Sequence, residues 1–225
     1  MKAFAIILRG HAYSETVGAR CIESAARVGG IEVEAFPAIG ADRALEVMAA
    51  YGFEWTWTSG GECPITGLKQ HSYGGGLARV GCAMSHFLLW RRCVALGEPV
   101  LILEHDSVFL RPWPEFEFRG LCQVNDPAGA TRRGDWLSSE MASRGPGVFP
   151  SSWTTDRLQR IPDGLAGNSA YVIKPFAARH LIDLYRRLGV WPNDATMCKQ
   201  LIPYLEELYP FVTKVEQTVS TTNAG

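Results

Sequence analysis

The sequence has little net charge and few cysteines for its length. Its 225 residues include 22 Lys plus Arg against 23 Asp plus Glu, which leaves a formal charge of −1. Without a basic excess, a nucleic-acid partner is not expected, because binding to its phosphates requires clusters of Lys and Arg. The six cysteines show neither a CxxC pair nor metal-finger spacing, which argues against a disulfide scaffold and a structural zinc site. We therefore expect a reducing compartment, the cytoplasm.

Long apolar runs are also missing near the start of the sequence. Residues 3–8 are apolar, but the run ends at Arg9 and is too short for a membrane span or a signal sequence. We expect at most peripheral membrane association. In contrast, 47% of all residues are apolar and seven are Trp, which is sufficient for a full hydrophobic core.

Short apolar runs alternate with helical patterns along the chain. Strands are predicted at 3–8, 31–36, 100–103, 121–124, 169–173 and 211–215, and helices at 14–28, 41–51, 78–96, 176–188 and 195–208. The segments 52–76 and 125–167 have no clear period, and a segment as long as the second is usually a functional loop or disordered. This alternation predicts an α/β fold with a mainly parallel sheet flanked by helices. We expect one domain, 1–219, with long active-site loops and a mobile tail, 220–225.

Two acidic residues follow the most apolar predicted strand, 100–103. Glu104, His105 and Asp106 come at its carboxyl end, where open α/β sheets bind ligands. A strand period of two would direct Glu104 and Asp106 to one side and His105 to the other. Neighbouring carboxylates suit a hard cation, Mn²⁺ or Mg²⁺, that would hold a diphosphate. The alternative is an acidic pair that caps a helix or pairs with Arg.

The sequence GCAMSHFLLW, residues 81–90, precedes LILEHD, residues 101–106, by about a dozen positions. Together they resemble the paired motifs of glycosyltransferase family 25, the lipooligosaccharide-type galactosyl- and glucosyltransferases. Residues 167–173 and 192–194 are similar to two further motifs of that family. The resemblance implies a GT-A type, Rossmann-like fold and inverting transfer of a hexose from UDP-galactose or UDP-glucose, with bound Mn²⁺.

The same resemblance implies roles for individual residues. Asp106 corresponds to the last carboxylate of the family's acidic triplet, a direct metal ligand, and Glu104 to the first. His105 stands where the family usually has Asp, and Arg79 where it often has an acidic residue. The residues expected at the donor are Arg9, Arg79, Ser85, His86, Glu104, His105, Asn168 and Ser169. For His86 a hydrogen-bonded core position is an equal alternative, and for Arg9 an ordinary surface charge.

An inverting transfer also needs a carboxylate that takes the proton of the acceptor hydroxyl. The candidates are Asp126, Asp135, Asp163 and Asp194. Asp194 is preferred because it matches a family position, although an Asp before a helix is often an N-cap. Trp136 and Trp153 lie in the long irregular segment and are expected to stack on acceptor sugars.

The leading hypothesis is a metal-dependent hexosyltransferase that uses a nucleotide sugar and a glycan, lipid-linked glycan or protein acceptor. One rival is a non-catalytic carbohydrate-binding or scaffold protein of the same fold, suggested by His105 and Arg79. Another is a metal-dependent nucleotidyltransferase or phosphohydrolase that uses the same carboxylates.

Overall fold

The computed structural model describes residues 1–72, 76–129, 134–151, 160–161 and 168–216. The strands in these ranges are β1 (Lys2–Ile7), β2 (Glu34–Pro37), β3 (Lys69–Gln70), β4 (Val100–Glu104), β5 (Ser107–Phe109), β6 (Leu121–Gln123), β7 (Asn125–Asp126), β8 (Gly147–Pro150), β9 (Arg160–Ile161), β10 (Ala170–Ile173), β11 (Leu205–Tyr209) and β12 (Thr213–Val215). The helices are α1 (Ala12–Ser24), α2 (Ala44–Ala50), α3 (Gly76–Leu96), α4 (Gly134–Arg144), α5 (Pro175–Leu188) and α6 (Asn193–Thr196). A π-helical turn, Ala25–Gly29, continues α1.

Seven strands form the central sheet, in the order β2-β1-β4-β10-β6-β11-β8. The pairs β1–β2, β1–β4 and β6–β11 are parallel, whereas β10 and β8 run antiparallel to their neighbours. Five of the seven strands therefore point the same way, and the predicted α/β class with a mainly parallel sheet is confirmed. A second sheet joins β5, β12 and β7, and β3 pairs with β9.

Helices cover both faces of the central sheet, as the alternation of side chains along β1 shows. Phe4 and Ile6 enter the core cluster formed with α2, α3 and α5, whereas Ala5 and Ile7 enter the cluster that contains Cys21 of α1. Neighbouring residues of a strand point to opposite faces, so one apolar run supplies both clusters. The long helix α3 is buried on several sides, in accord with its apolar sequence. None of the helices in the described ranges is both long and apolar enough to cross a bilayer.

Two predictions about the second half of the chain are wrong. A helix was predicted over 195–208, but α6 ends at Thr196 and β11 occupies the end of that range. Pro203 cannot donate the backbone hydrogen bond of a helix, and β11 is instead held between β6 and β8. The predicted irregular segment 125–167 contains α4 and β8 in its described part.

Candidate functional site

A cleft lies where the parallel strands β1, β2 and β4 end. Because these strands point the same way, their carboxyl ends meet at one edge of the sheet, and the residues that follow them come together. The cleft measures about 580 Å³ including its open mouth. Its lining residues come from β1, the loop after β2, helix α3 and the end of β4: Ile6, Leu8, Ala38, Ile39, Gly40, Ala41, Ala78, Cys82, Ser85, His86, Glu104 and His105.

Glu104 and His105 both line this cleft, although strand alternation predicted opposite directions. The difference arises because β4 ends at Glu104 and His105 already lies in a turn, where the period of two no longer applies. Burial lowers the pKa of His105, against the opposing effect of the Glu104 charge. The ring of His105 packs edge-to-face on Tyr13, with the ring centres 6.2 Å apart.

His86 reaches Glu104 across the cleft and is itself held by a buried chain of hydrogen bonds. Trp90 Nε1 donates to the Tyr171 hydroxyl at 2.8 Å, this hydroxyl lies 2.9 Å from His86 Nδ1, and His86 Nε2 lies 3.3 Å from Glu104 Oε1. An ionised carboxylate only accepts, so Nε2–H donates to Glu104, while the Tyr171 hydroxyl accepts from Trp90 and forms its other hydrogen bond with Nδ1. His86 agrees with both alternatives given for it, a hydrogen-bonded core residue and a residue of the site, because it is fully buried and also lines the cleft.

Ser85 fixes the wall of the cleft opposite the sheet. Its buried hydroxyl accepts from the Ile39 amide at 2.8 Å and donates to the Gly81 carbonyl at 2.8 Å. Gly81 has no side chain at the point where α3 meets the carbonyl of Ile39, and a Cβ there would overlap that oxygen. Ser85 therefore holds the loop after β2 against α3 and also lines the cleft, and its predicted contact with the donor stays a prediction.

Asp106 is a buried carboxylate that lacks a partner for one of its oxygens. Its side chain is 8% exposed, and Oδ1 has no hydrogen-bond partner in the described part of the chain. Burial, and then the negative charge of Glu104, raise the pKa of Asp106 to about 7. A cation beside the carboxylate would supply the missing partner and offset both effects. The carboxylate oxygens of Glu104 and Asp106 are hard ligands of the kind that Mn²⁺ and Mg²⁺ prefer, so in chemistry they agree with the divalent ion that the family resemblance implies.

Cys82 lies one helical turn before His86, and the sequence reasoning missed it as a site residue. One potential ligand atom each of Cys82, His86 and Glu104 lies within 4.8 Å of the other two. Burial raises the pKa of the Cys82 thiol well above its ordinary value, and the negative charges of Glu104 and Asp194 add to this effect. The spacing i, i+4, which places two residues on one face of a helix, was the available signal.

Asp194 is brought to the same neighbourhood by α6. Its charge acts on the Cys82 thiol, and the neighbouring Asn193 accepts a hydrogen bond from that thiol at 3.5 Å. Asp194 Oδ1 also accepts from the amide of Ala195 at 3.0 Å. Its predicted role as the acceptor base stays a prediction, now with a position close to the cleft.

The residues directly before β10 include two more of the predicted donor residues. The backbone amide of Glu104 donates a hydrogen bond to the Ser169 carbonyl at 2.7 Å, and the Ser169 hydroxyl lies 3.5 Å from Glu104 Oε2. Asn168 is buried, and its Oδ1 has no hydrogen-bond partner among the residues that the structure describes. Both residues are thus buried beside or near the acidic end of β4.

The remaining predicted residues lie farther out. Arg9 is exposed directly after β1. Arg79 is half-buried on α3 and lines a neighbouring pocket with Trp55 and Trp57. Its positive charge lowers the pKa of the Cys82 thiol and so opposes the effect of the nearby carboxylates. Trp136 is 49% exposed on α4, which contributes no residue to the cleft.

Trp153 and Asp163, predicted for the acceptor side, lie outside the described residues. The other two candidate bases already accept local hydrogen bonds: Asp126 accepts one from the backbone amide of Ala128, and Asp135 accepts one from that of Gly129.

Comparison with known proteins found a similarity to a glycosyltransferase family in the segment that contributes α3 and β4 to the cleft. Residues 64–116, which include α3, β4 and β5, match the model of glycosyltransferase family 25 (LPS biosynthesis protein). The predicted resemblance to family 25 is thereby confirmed for this segment, which includes Cys82, Ser85, His86, Glu104, His105 and Asp106. No curated protein matches the chain in sequence.

A solved structure, the crystal structure of mouse xyloside xylosyltransferase 1 in its apo form, is similar at 11% identity with a TM-score of 0.40. The match covers 91% of this chain and 83% of that chain. This likeness is too low to transfer any property of that enzyme.

Proposed function

We propose that the protein transfers a hexose from UDP-galactose or UDP-glucose to a hydroxyl group of a glycan, a lipooligosaccharide or a protein. The observation that carries the proposal is the acidic pair at the end of β4, with the half-buried Glu104 lining the cleft and the buried Asp106 two residues on, both within the segment that matches family 25. The proposed setting is the cytoplasm, with at most peripheral membrane association.

The two halves of the cleft suit the two halves of such a donor. Ile6, Leu8 and Ile39 form an apolar wall, which can pack on a flat base or on the apolar face of a sugar. The carboxylate of Glu104 lines the other side and, with the buried carboxylate of Asp106 two residues on, would hold Mn²⁺ or Mg²⁺. A divalent ion, when bound, offsets the negative charge that develops on a departing diphosphate.

His86 and Ser169 keep Glu104 in one orientation before any ligand arrives. Each lies within hydrogen-bond distance of a different oxygen of the carboxylate, at 3.3 and 3.5 Å. Because the partners of His86 are buried, this arrangement does not depend on the substrate. A preorganised site of this kind loses little free energy to reorientation during the reaction.

Asp194 is the proposed base for the acceptor hydroxyl, in an inverting reaction. Asp194→Asn should lower kcat by a factor of about 10² to 10⁴, the usual contribution of a positioned general base. The melting temperature should change little, because Asn retains the oxygen that accepts the Ala195 amide. A variant with unchanged kcat would assign Asp194 to the helix terminus alone.

Thermal shift with nucleotide sugars tests donor binding directly. At a free donor concentration of 100 times Kd, binding adds about 2.7 kcal/mol to the stability of the folded state. For a chain of this size that corresponds to a rise of roughly 5 to 11 °C in Tm. The rise should require Mn²⁺ or Mg²⁺ and should occur with UDP-sugars. Absence of a shift with every nucleotide sugar, with and without metal, would contradict the proposal, whereas a shift without turnover would favour the non-catalytic rival.

A further inference from the structure

Three side chains of different chemistry converge at the floor of the cleft, and we infer that they bind a borderline-soft divalent ion such as Zn²⁺. They are the thiol of Cys82, the imidazole of His86 and the carboxylate of Glu104, with one ligand atom of each within 4.8 Å of the others. This site differs in ligand chemistry from the oxygen-only pair Glu104 and Asp106. It goes beyond the proposed transfer reaction, which needs no thiol.

The donor set favours zinc over manganese or magnesium. Sulfur and imidazole nitrogen are ligands that Zn²⁺ prefers, whereas Mn²⁺ and Mg²⁺ prefer oxygen. Three protein ligands leave the fourth position of a tetrahedral ion open, and here that position would face the cleft. His86 Nε2 and Glu104 Oε1 are already 3.3 Å apart, close enough for both to contact one ion. The Cys82 sulfur lies within 4.8 Å of one ligand atom of each of these two residues.

Tyr171 provides the outer support that a metal-bound histidine requires. A ligating imidazole normally uses its second nitrogen in a hydrogen bond that fixes the ring. His86 Nδ1 has such a partner in the Tyr171 hydroxyl at 2.9 Å, and Trp90 holds that hydroxyl in turn at 2.8 Å. With Nε2 on the ion, Nδ1 would carry the ring proton and donate it to the Tyr171 hydroxyl oxygen, which has one lone pair for this bond and one for the bond from Trp90.

Charge around the thiol also favours a cation. The thiol of Cys82 lies in the field of three negative charges, those of Glu104, Asp194 and Asp106. One positive charge, that of Arg79, opposes them. On binding, the sulfur–hydrogen bond breaks, the thiolate forms a bond to the ion, and one proton leaves to solvent. The site therefore exchanges one proton for an ion of charge +2 in an acidic environment.

Occupation of this site has a consequence for the proposed transfer, and that consequence rests on the proposed function. The ion would use Glu104, which the proposed donor site also needs, and would stand on the floor of the cleft. Zn²⁺ should therefore inhibit transfer even when Mn²⁺ is in excess, and a chelator that removes Zn²⁺ should restore it. Metal binding itself can be measured without any donor, so the two proposals can fail separately.

Co²⁺ is the direct probe, because a bond from thiolate to Co²⁺ produces a charge-transfer band in the near ultraviolet. Titration of the purified full-length protein with Co²⁺ should produce this band at one equivalent, and Zn²⁺ should abolish it. Cys82→Ser should remove the band and weaken Zn²⁺ binding by at least about 100-fold, since even outer-shell changes cost about 10- to 100-fold. The matched control is Cys21→Ala, which changes a buried cysteine on the opposite face of the sheet and should retain the band.

Tyr171→Phe separates a metal site from an ordinary buried cluster. It retains all three ligands, so the Co²⁺ band should persist, but the affinity should fall by about 10- to 100-fold because His86 loses its support. Circular dichroism at the temperature of the titration shows whether each variant is folded. The inference is overturned if the folded wild-type protein gives no charge-transfer band, or if Cys82→Ser binds Zn²⁺ as tightly as wild type.

Discussion

The hydrogen-bond chain behind the cleft predicts a large stability difference between two tyrosine variants. Tyr171→Phe removes one hydroxyl and leaves Trp90 Nε1 and His86 Nδ1 without their partner. Both groups belong to side chains that are fully buried, so water cannot replace the lost hydroxyl. Each unsatisfied buried group costs about 1–3 kcal/mol, so for the two groups we expect a total loss of about 2–6 kcal/mol.

Tyr204→Phe is the matched control, because it removes a bond of the same chemistry in a partly exposed place. The Tyr204 hydroxyl lies 2.8 Å from His180 Nδ1, but both residues are partly accessible to water. We expect a loss below about 1 kcal/mol there. Urea unfolding followed by circular dichroism gives both values. Equal losses in the two variants, or a loss below 1 kcal/mol for Tyr171→Phe, would refute the account of a closed, buried chain.

Two further predictions concern other parts of the fold. Burial raises the pKa of Glu207 from 4.5 to about 8, although Ser151 donates to it at 3.0 Å. The carboxyl group of Glu207 therefore binds its proton more tightly in the folded state than in the unfolded state. This binding stabilises the folded state fully below pH 4.5. The stabilisation is lost as the pH rises from 4.5 to 8, at up to roughly 1.4 kcal/mol per pH unit. Glu207→Gln should flatten this dependence and raise Tm at pH 8, and an unchanged pH profile in thermal melts would contradict it. Gly81→Ala should cost about 1–3 kcal/mol in urea unfolding, because the new methyl group meets a backbone carbonyl. Gly18→Ala, which meets side-chain atoms of Ile7 from 2.6 Å outward and no backbone, should cost less, and the reverse order would contradict the role assigned to Gly81.

The parts of the fold that could be predicted from the sequence are those in which neighbouring residues carry the signal. The apolar run before Glu104 predicted β4 and the acidic end that lines the cleft, and the all-round apolar sequence of 78–96 predicted a helix buried on several sides. Both depend only on local pattern and burial. The helix predicted over 195–208 failed because β11 depends on pairing with β6 and β8, although Pro203 was a local warning.

The candidate site was predicted in its acidic part and missed in its supports. Tyr171 is 85 residues from His86 in sequence, and β10 brings them together only through its antiparallel pairing with β4. No local pattern shows such a contact. Cys82 had a local signal, its position one turn before His86, but a cysteine in an apolar helix is typical of a core residue.

The central claim is that the acidic end of β4 supports transfer of a sugar from a nucleotide donor. The most direct measurement is release of nucleoside diphosphate from a panel of nucleotide sugars, with Mn²⁺ titrated, for the wild type and Asp106→Asn. We expect metal-dependent consumption of a UDP-hexose by the wild type, and at least about a 100-fold loss in Asp106→Asn, in line with the loss of a group that stabilises developing charge. Tm at pH 7–8 should not fall, since the variant removes a buried carboxylate whose pKa is raised to about 7. Consumption of no nucleotide sugar, or equal metal-dependent turnover in the two proteins, would contradict the account.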